Sequence, residues 1–165
     1  MKFWQEVLSE LVNHNEWHAK FLNTISLMEY MGARKIVKSQ LEKNVDAEVL
    51  AHMTEEIRHA QIFKKMALKL SDKKLKTYDD QYLLAGPAGR AYIQTVDQSI
   101  SAALQGENSY LNYLLSTLLI EERANEVYPF YEKLLEPFGF GTYLRAILRE
   151  EENHLEQIKD LLEKL

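Results

Sequence analysis

Cysteine is absent from these 165 residues, and proline and glycine are scarce, at three and six. Without thiols the chain has no disulfide framework, no zinc–thiolate or iron–sulfur ligands and no cysteine nucleophile. A strong charge of one sign is also missing. The 20 basic and 25 acidic residues leave a net charge of −5, which argues against nucleic acid or an anionic membrane as partner. The longest apolar stretch, around Leu111–Ile120, is broken by Asn112, Ser116 and Thr117 and falls far short of a membrane span. At the N-terminus, Gln5, Glu6, Ser9 and Glu10 interrupt the apolar residues, unlike a secretory signal. The expectation is one soluble, cytoplasmic domain over residues 1–165.

What is present is helical periodicity. Residues 1–12 are amphipathic through Trp4, Leu8 and Leu11. From Glu16 to about Lys43, the residues Phe21, Leu22, Ile25, Met28, Ile36 and Val37 form an apolar stripe. Asp46 is a suitable N-cap for a helix running to about Leu70. Residues 71–90, with Asp79-Asp80 and Gly86-Pro87-Ala88-Gly89, read as a long connection. A short helix over Ala91–Leu104 and a long one to Leu135 follow, the latter bent by Pro129. After the turn Pro137–Gly141, a last helix runs from Thr142 to the end. No stretch alternates at period two long enough for a strand. The reading is all-α, with four principal helices.

Charged residues interrupt the apolar stripes at regular places. In the last helix Glu151 and His154 follow Leu144, Ile147 and Leu148 on the inward face, one turn apart. Glu56 and His59 do the same between Met53 and Phe63. An uncompensated buried carboxylate or imidazole costs several kcal/mol, and a bound metal is a common way to offset that cost. A Glu-x-x-His pair alone is weak, since about 0.6 are expected by chance in such a composition. Each pair is, however, preceded by another glutamate in an apolar face, Glu29 and Glu121. Gly32 and Ala124 stand three positions after these glutamates and leave room beside them. The chain thus reads as a twofold repeat with halves offset by 92 to 95 residues.

Glu29, Glu56-x-x-His59, Glu121 and Glu151-x-x-His154 resemble the six-ligand signature of the ferritin-like di-iron carboxylate superfamily. The segment Ile120–Glu126 followed by Glu151-Glu152-Asn153-His154 is most similar to its tRNA-modifying non-haem di-iron hydroxylase branch. The resemblance implies a ferritin-like four-helix bundle with a long crossover between its second and third helices and a short extra helix. It implies two iron ions, with manganese as the alternative, bridged by Glu56 and Glu151, with Glu29 and Glu121 terminal. The implied activity is oxidoreduction with dioxygen or peroxide on a small substrate, such as a hydroxylation. An electron-donor protein and a homodimer are compatible with it. The alternatives are an iron-handling ferroxidase and a rubrerythrin-like peroxide reductase. The first is disfavoured because only eleven residues follow His154. The second would need an external donor in place of a cysteine-ligated iron domain. A metal-free interaction bundle is the non-enzymatic reading.

Several neighbours compete for attention. Glu122 is the alternative to Glu121, which better keeps the Leu114–Leu118 stripe. Glu55 and Glu150 could hydrogen-bond a ligand histidine on another helix, although a surface role is the simpler expectation. His14 and His18, four apart, could bind a metal but are expected on a partly exposed face; His52, one turn before Glu56, could support the ligands, although the core edge is the simpler expectation. Tyr30, Tyr110, Tyr113 and Tyr128 are expected to fill the core near the metal level. Lys73, Lys74 and Lys76 are too few for a nucleic-acid site.

Overall fold

A computed structural model describes residues 2–39, 45–106 and 108–164, so the expected end of the second helix at Lys43 lies outside the described residues. Six α-helices account for most of the described residues: α1 (Phe3–Leu11), α2 (Asn15–Ser39), α3 (Ala47–Leu70), α4 (Gly86–Ala103), α5 (Ser109–Leu135) and α6 (Gly141–Glu163). Among the described residues there is no strand, and no helix is long and apolar enough to cross a membrane. Asp46 caps α3 as expected, its carboxylate accepting from Val49 N at 2.9 Å. Asn108 does the same for α5, accepting from Leu111 N at 2.9 Å. Helix α5 continues through Pro129.

Helix α2 packs along α3, and α5 along α6, so the chain forms two helical hairpins laid against each other. Each helix brings its apolar stripe to a shared interior. One core cluster contains Leu22, Ile25, Phe63, Met66, Tyr131, Leu135, Leu144 and Ile147. A second contains Ile36, Tyr113, Leu114 and Ile158. Full burial of a side chain such as Phe63 or Leu114 contributes roughly 2–3 kcal/mol. On all four helices the inward glutamates fall between these clusters in sequence. The charged level is therefore sealed by apolar layers above and below.

The connection between the hairpins differs from its expected form. Helix α4 begins at Gly86, so Gly86–Gly89 form its first turn and are not part of a loop. Pro87 suits that turn because its missing N–H has no intrahelical partner there. The remaining stretch is held by the polar side of α2. Asn23 Nδ2 donates to the carbonyls of Thr77 and Tyr82 at 3.0 and 2.9 Å. Thr24 Oγ1 donates to Leu84 O at 2.8 Å and accepts from Leu84 N at 3.0 Å. Ser26 binds both Ala60 O and the Tyr78 hydroxyl, at 2.6 and 2.7 Å. These bonds satisfy side chains that are buried within α2.

Candidate metal centre

The helical registers bring two groups of metal-competent side chains together. His52, Glu56, Glu121 and His154 offer ligand atoms that all lie within 4.8 Å of one another. Glu29, Glu56, His59 and Glu151 form a second group within the same limit. Glu56 belongs to both. Glu151 also faces two ways, with Oε1 3.0 Å from His59 Nδ1 and Oε2 3.4 Å from His154 Nδ1. All six candidates read from the sequence thus converge on one level of the interior. Glu121 is buried there, whereas Glu122 is half exposed and lies 3.7 Å from Lys159 Nζ.

The histidine rings are oriented from outside the centre. Glu150 on α6 accepts from His59 Nε2 at 2.7 Å, and Glu55 on α3 accepts from His154 Nε2 at 2.6 Å. Each carboxylate sits one position before a candidate ligand glutamate and binds the histidine of the opposite hairpin. This corrects the expected surface role for both. The exchange fixes each ring so that Nδ1 points inward. Glu150 is itself held by Arg58 at 2.6 Å.

Sequence reasoning weighed His52 only as a support to the ligands and preferred the core edge. It is buried, not at the core edge, and its ring centroid is 4.2 Å from that of His154. Its position four residues before Glu56 put it on the same helix face, which was the available signal. Tyr113 and Tyr128 do more than fill space. The Tyr113 hydroxyl is 2.8 Å from His52 Nδ1, and Tyr128 donates to Glu29 Oε1 at 2.8 Å. Tyr30 is exposed and stacks on Tyr78, while Tyr110 packs beside Tyr113. His18 departs from expectation too. It is fully buried, bonded to the Tyr131 hydroxyl at 2.8 Å, and burial lowers its pKa to about 4. His14 remains exposed beside Glu10.

Protons balance the charges of this interior. Burial alone would lower the pKa of His59, but Glu151, Glu29 and Glu56 outweigh it and push the value up to about 10. For His154 burial is likewise overcome by Glu121, Glu151 and Glu55, giving about 11. Burial, with the charges of Glu56 and Glu151, drives Glu29 well above the carboxylate range. Burial and Glu121 raise Glu151. Glu121 moves the other way: burial is outweighed by the neighbouring Glu151, His154 and His52.

The residues fit divalent metal ions on three counts. First, His52 Nε2 is buried, faces the carboxylates and has no hydrogen-bond partner among the described residues, and His59 Nδ1 is buried against the Glu151 carboxylate. Secondly, a Cβ on Gly32 would come within 2.8 Å of Glu56 Oε2, so the absence of a side chain there makes the space for the shared carboxylate. Thirdly, four carboxylates with imidazoles suit iron, manganese and related ions, and their charge balances two divalent cations. These buried groups can hold metal. A cavity of about 150 Å³ between α3 and α6 lies at the outer edge of the centre, bordered by Glu48, His52, Glu55, Glu150 and His154. No family model matches the chain, and no curated protein or solved structure matches it at a significant level.

Proposed function

We propose that the chain is a ferritin-like dinuclear metal protein that reduces dioxygen or peroxide to oxidise a small substrate. The observation that carries this reading is the sharing of Glu56 between two buried donor groups. Two positions joined by one carboxylate favour a pair of ions over a single structural ion. A pair of iron or manganese ions, when bound, supplies the electrons for reduction of dioxygen or peroxide.

The protein contributes position, insulation and proton placement. Glu29, Glu56, His59 and Glu151 would hold one ion, and Glu56, Glu121 and His154 the other. Glu55 and Glu150 keep the histidine Nδ1 atoms aimed inward. The apolar layers around Phe63, Ile147, Leu114 and Ile158 exclude bulk water from the carboxylates. Tyr128 keeps its proton on the hydroxyl oxygen, because burial and the Glu29 charge hold its pKa well above the usual value. That hydroxyl orients Glu29 and leaves a proton beside the centre. The α3–α6 cavity gives a path for a small reactant, and its carboxylate rim favours cations and neutral molecules over anions.

The test is elemental analysis after growth with ample iron and manganese, followed by oxygen uptake on reduction. The expected result is about two ions per chain and oxygen consumption that disappears in Glu56→Ala. Less than about half an ion per chain, with none regained on reconstitution, would defeat the reading. Assembly into a large shell that mineralises iron would replace it with storage.

A further inference from the structure

We propose that His52 is itself a metal donor, which makes the two positions of the centre unequal. The position built from His52, Glu56, Glu121 and His154 takes the first divalent ion and prefers nitrogen-seeking metals. The position built from Glu29, Glu56, His59 and Glu151 fills second and prefers harder ions. The inference rests on the dinuclear reading and adds a seventh ligand with an order of filling.

His52 stands outside the internal repeat. The residue 95 positions later, where the second half would repeat it, is the buried Ile147. An apolar side chain therefore suffices at that place in the fold, and His52 is an addition to one half only. Packing does not account for its polarity. Its Nδ1 is anchored at 2.8 Å on the Tyr113 hydroxyl, while Nε2 is buried without a hydrogen-bond partner. Leaving that atom unsatisfied costs stability, which Ile would avoid. With Nδ1 taken up by Tyr113, Nε2 is the ring nitrogen left to face the carboxylates.

The spacing around Nε2 is that of co-ligands and not of hydrogen bonds. Glu56 Oε1 lies at 3.5 Å and Glu121 Oε1 at 3.7 Å, both beyond good hydrogen-bonding distance. His154 Nδ1 lies 3.8 Å from the same Glu121 oxygen. Donors sharing one four-coordinate ion at bond lengths near 2.1 Å stand roughly 3.4 Å apart, so a small inward adjustment completes the set. In the other group the His59–Glu151 pair is already at 3.0 Å.

Donor chemistry then sets the preference. Two imidazoles and two carboxylates make a nitrogen-rich set that favours cobalt, nickel and zinc, whereas one imidazole and three carboxylates suit manganese. Access points to the same order. The α3–α6 cavity is bordered by His52 and His154 and by no ligand found only in the Glu29 position. An entering ion meets the nitrogen-rich position first.

The experiment is cobalt(II) titration of the metal-free full chain, read by visible absorption and calorimetry, with manganese(II) as competitor. Wild-type protein should bind in two steps, the first resisting manganese. His52→Gln should weaken that first step by about 10- to 100-fold and remove its resistance, leaving the other step within about threefold. His52→Ile copies the repeat's own solution and should do the same if His52→Gln is poorly folded. Tyr113→Phe retains the imidazole but frees its ring, and should weaken only the first step, by less than His52→Gln. Equal weakening of both steps, or no change in either, would overturn the proposal. Failure of wild-type protein to bind any cobalt would instead defeat the dinuclear reading beneath it.

Discussion

The two hairpins solve the same problem with the same parts and then diverge at one residue each. Glu29 and Glu121 occupy equivalent positions 92 residues apart, and each second helix supplies a Glu-x-x-His pair. Glu55 and Glu150 exchange partners across the halves in the same manner. The divergence is in what faces the first glutamate. Tyr128 from the second hairpin donates to Glu29, whereas its repeat counterpart, Ile36, is a buried apolar residue. His52 from the first hairpin faces Glu121, whereas its counterpart is Ile147. Matching carboxylates therefore acquire opposite tendencies. Burial and nearby charge raise the pKa of Glu29, and the neighbouring Glu151, His154 and His52 lower that of Glu121. The repeat builds the frame, and the departures from it make the halves chemically distinct.

The comparison predicts that Glu56 is special and Glu29 is not. Because Glu56 serves both groups, Glu56→Ala should empty both positions, while Glu29→Ala should empty one. Metal content of the two purified variants decides the point. Equal loss in both would mean that the groups do not share this carboxylate.

A pH experiment gives the next largest effect. Both His59 and His154 have folded-state values, about 10 and 11, above their ordinary 6.5. Their contribution to the metal-free fold is therefore fully present below pH 6.5 and is lost as pH rises through 10 and 11. Metal ions must displace these protons. Affinity should rise about tenfold per pH unit for each proton released, until the groups titrate. The gap in Tm between loaded and metal-free protein should widen from pH 6.5 upward. A gap that stays constant would show that binding displaces no protons.

Much of this arrangement was legible in the sequence because helical period states which residues point inward. It separated Glu121 from Glu122 and placed six candidates at one level. Period does not state what lies across the interface. Glu55 and Glu150 look like ordinary flanking charges until the opposite hairpin brings a histidine to each. Asn23, Thr24 and Ser26 look solvent-facing until the connection after α3 lies over them. His18 was misread for the same reason, since its partner Tyr131 is 113 residues away. His52 was underrated because the repeat offered no counterpart to flag it.

Gly32 sharpens the comparison further, since its repeat counterpart is Ala124. Making the halves alike by Gly32→Ala would set a Cβ 2.8 Å from Glu56 Oε2. The space beside Glu29 is thus taken by the shared carboxylate, so a bulky Gly32 variant would disturb metal binding itself and not merely exclude substrate. Gly32→Ala should lower metal affinity by about tenfold, because it displaces the carboxylate that both groups share. The metal-free helix should hold or gain up to about 1 kcal/mol from the better helix former. Unchanged affinity would mean that Glu56 has room to move away.

The smallest effect should come from Tyr128→Phe, which makes the surroundings of Glu29 more like an apolar repeat position. The hydroxyl donates at 2.8 Å to a carboxylate that burial, Glu56 and Glu151 already drive toward protonation. That hydrogen bond favours the charged form of Glu29. Without it Glu29 should hold its proton more firmly, and the ion at that position must displace it at greater cost. Affinity there should fall about threefold near neutral pH, with a stability loss of about 1 kcal/mol for the missing bond. The affinity difference should shrink as pH rises and Glu29 ionises in both proteins. The Glu121 position, which Tyr128 does not contact, should be unchanged. Two-step metal titrations at several pH values measure both. Equal weakening of the two steps, or a deficit that does not shrink with pH, would show that Tyr128 acts by packing alone.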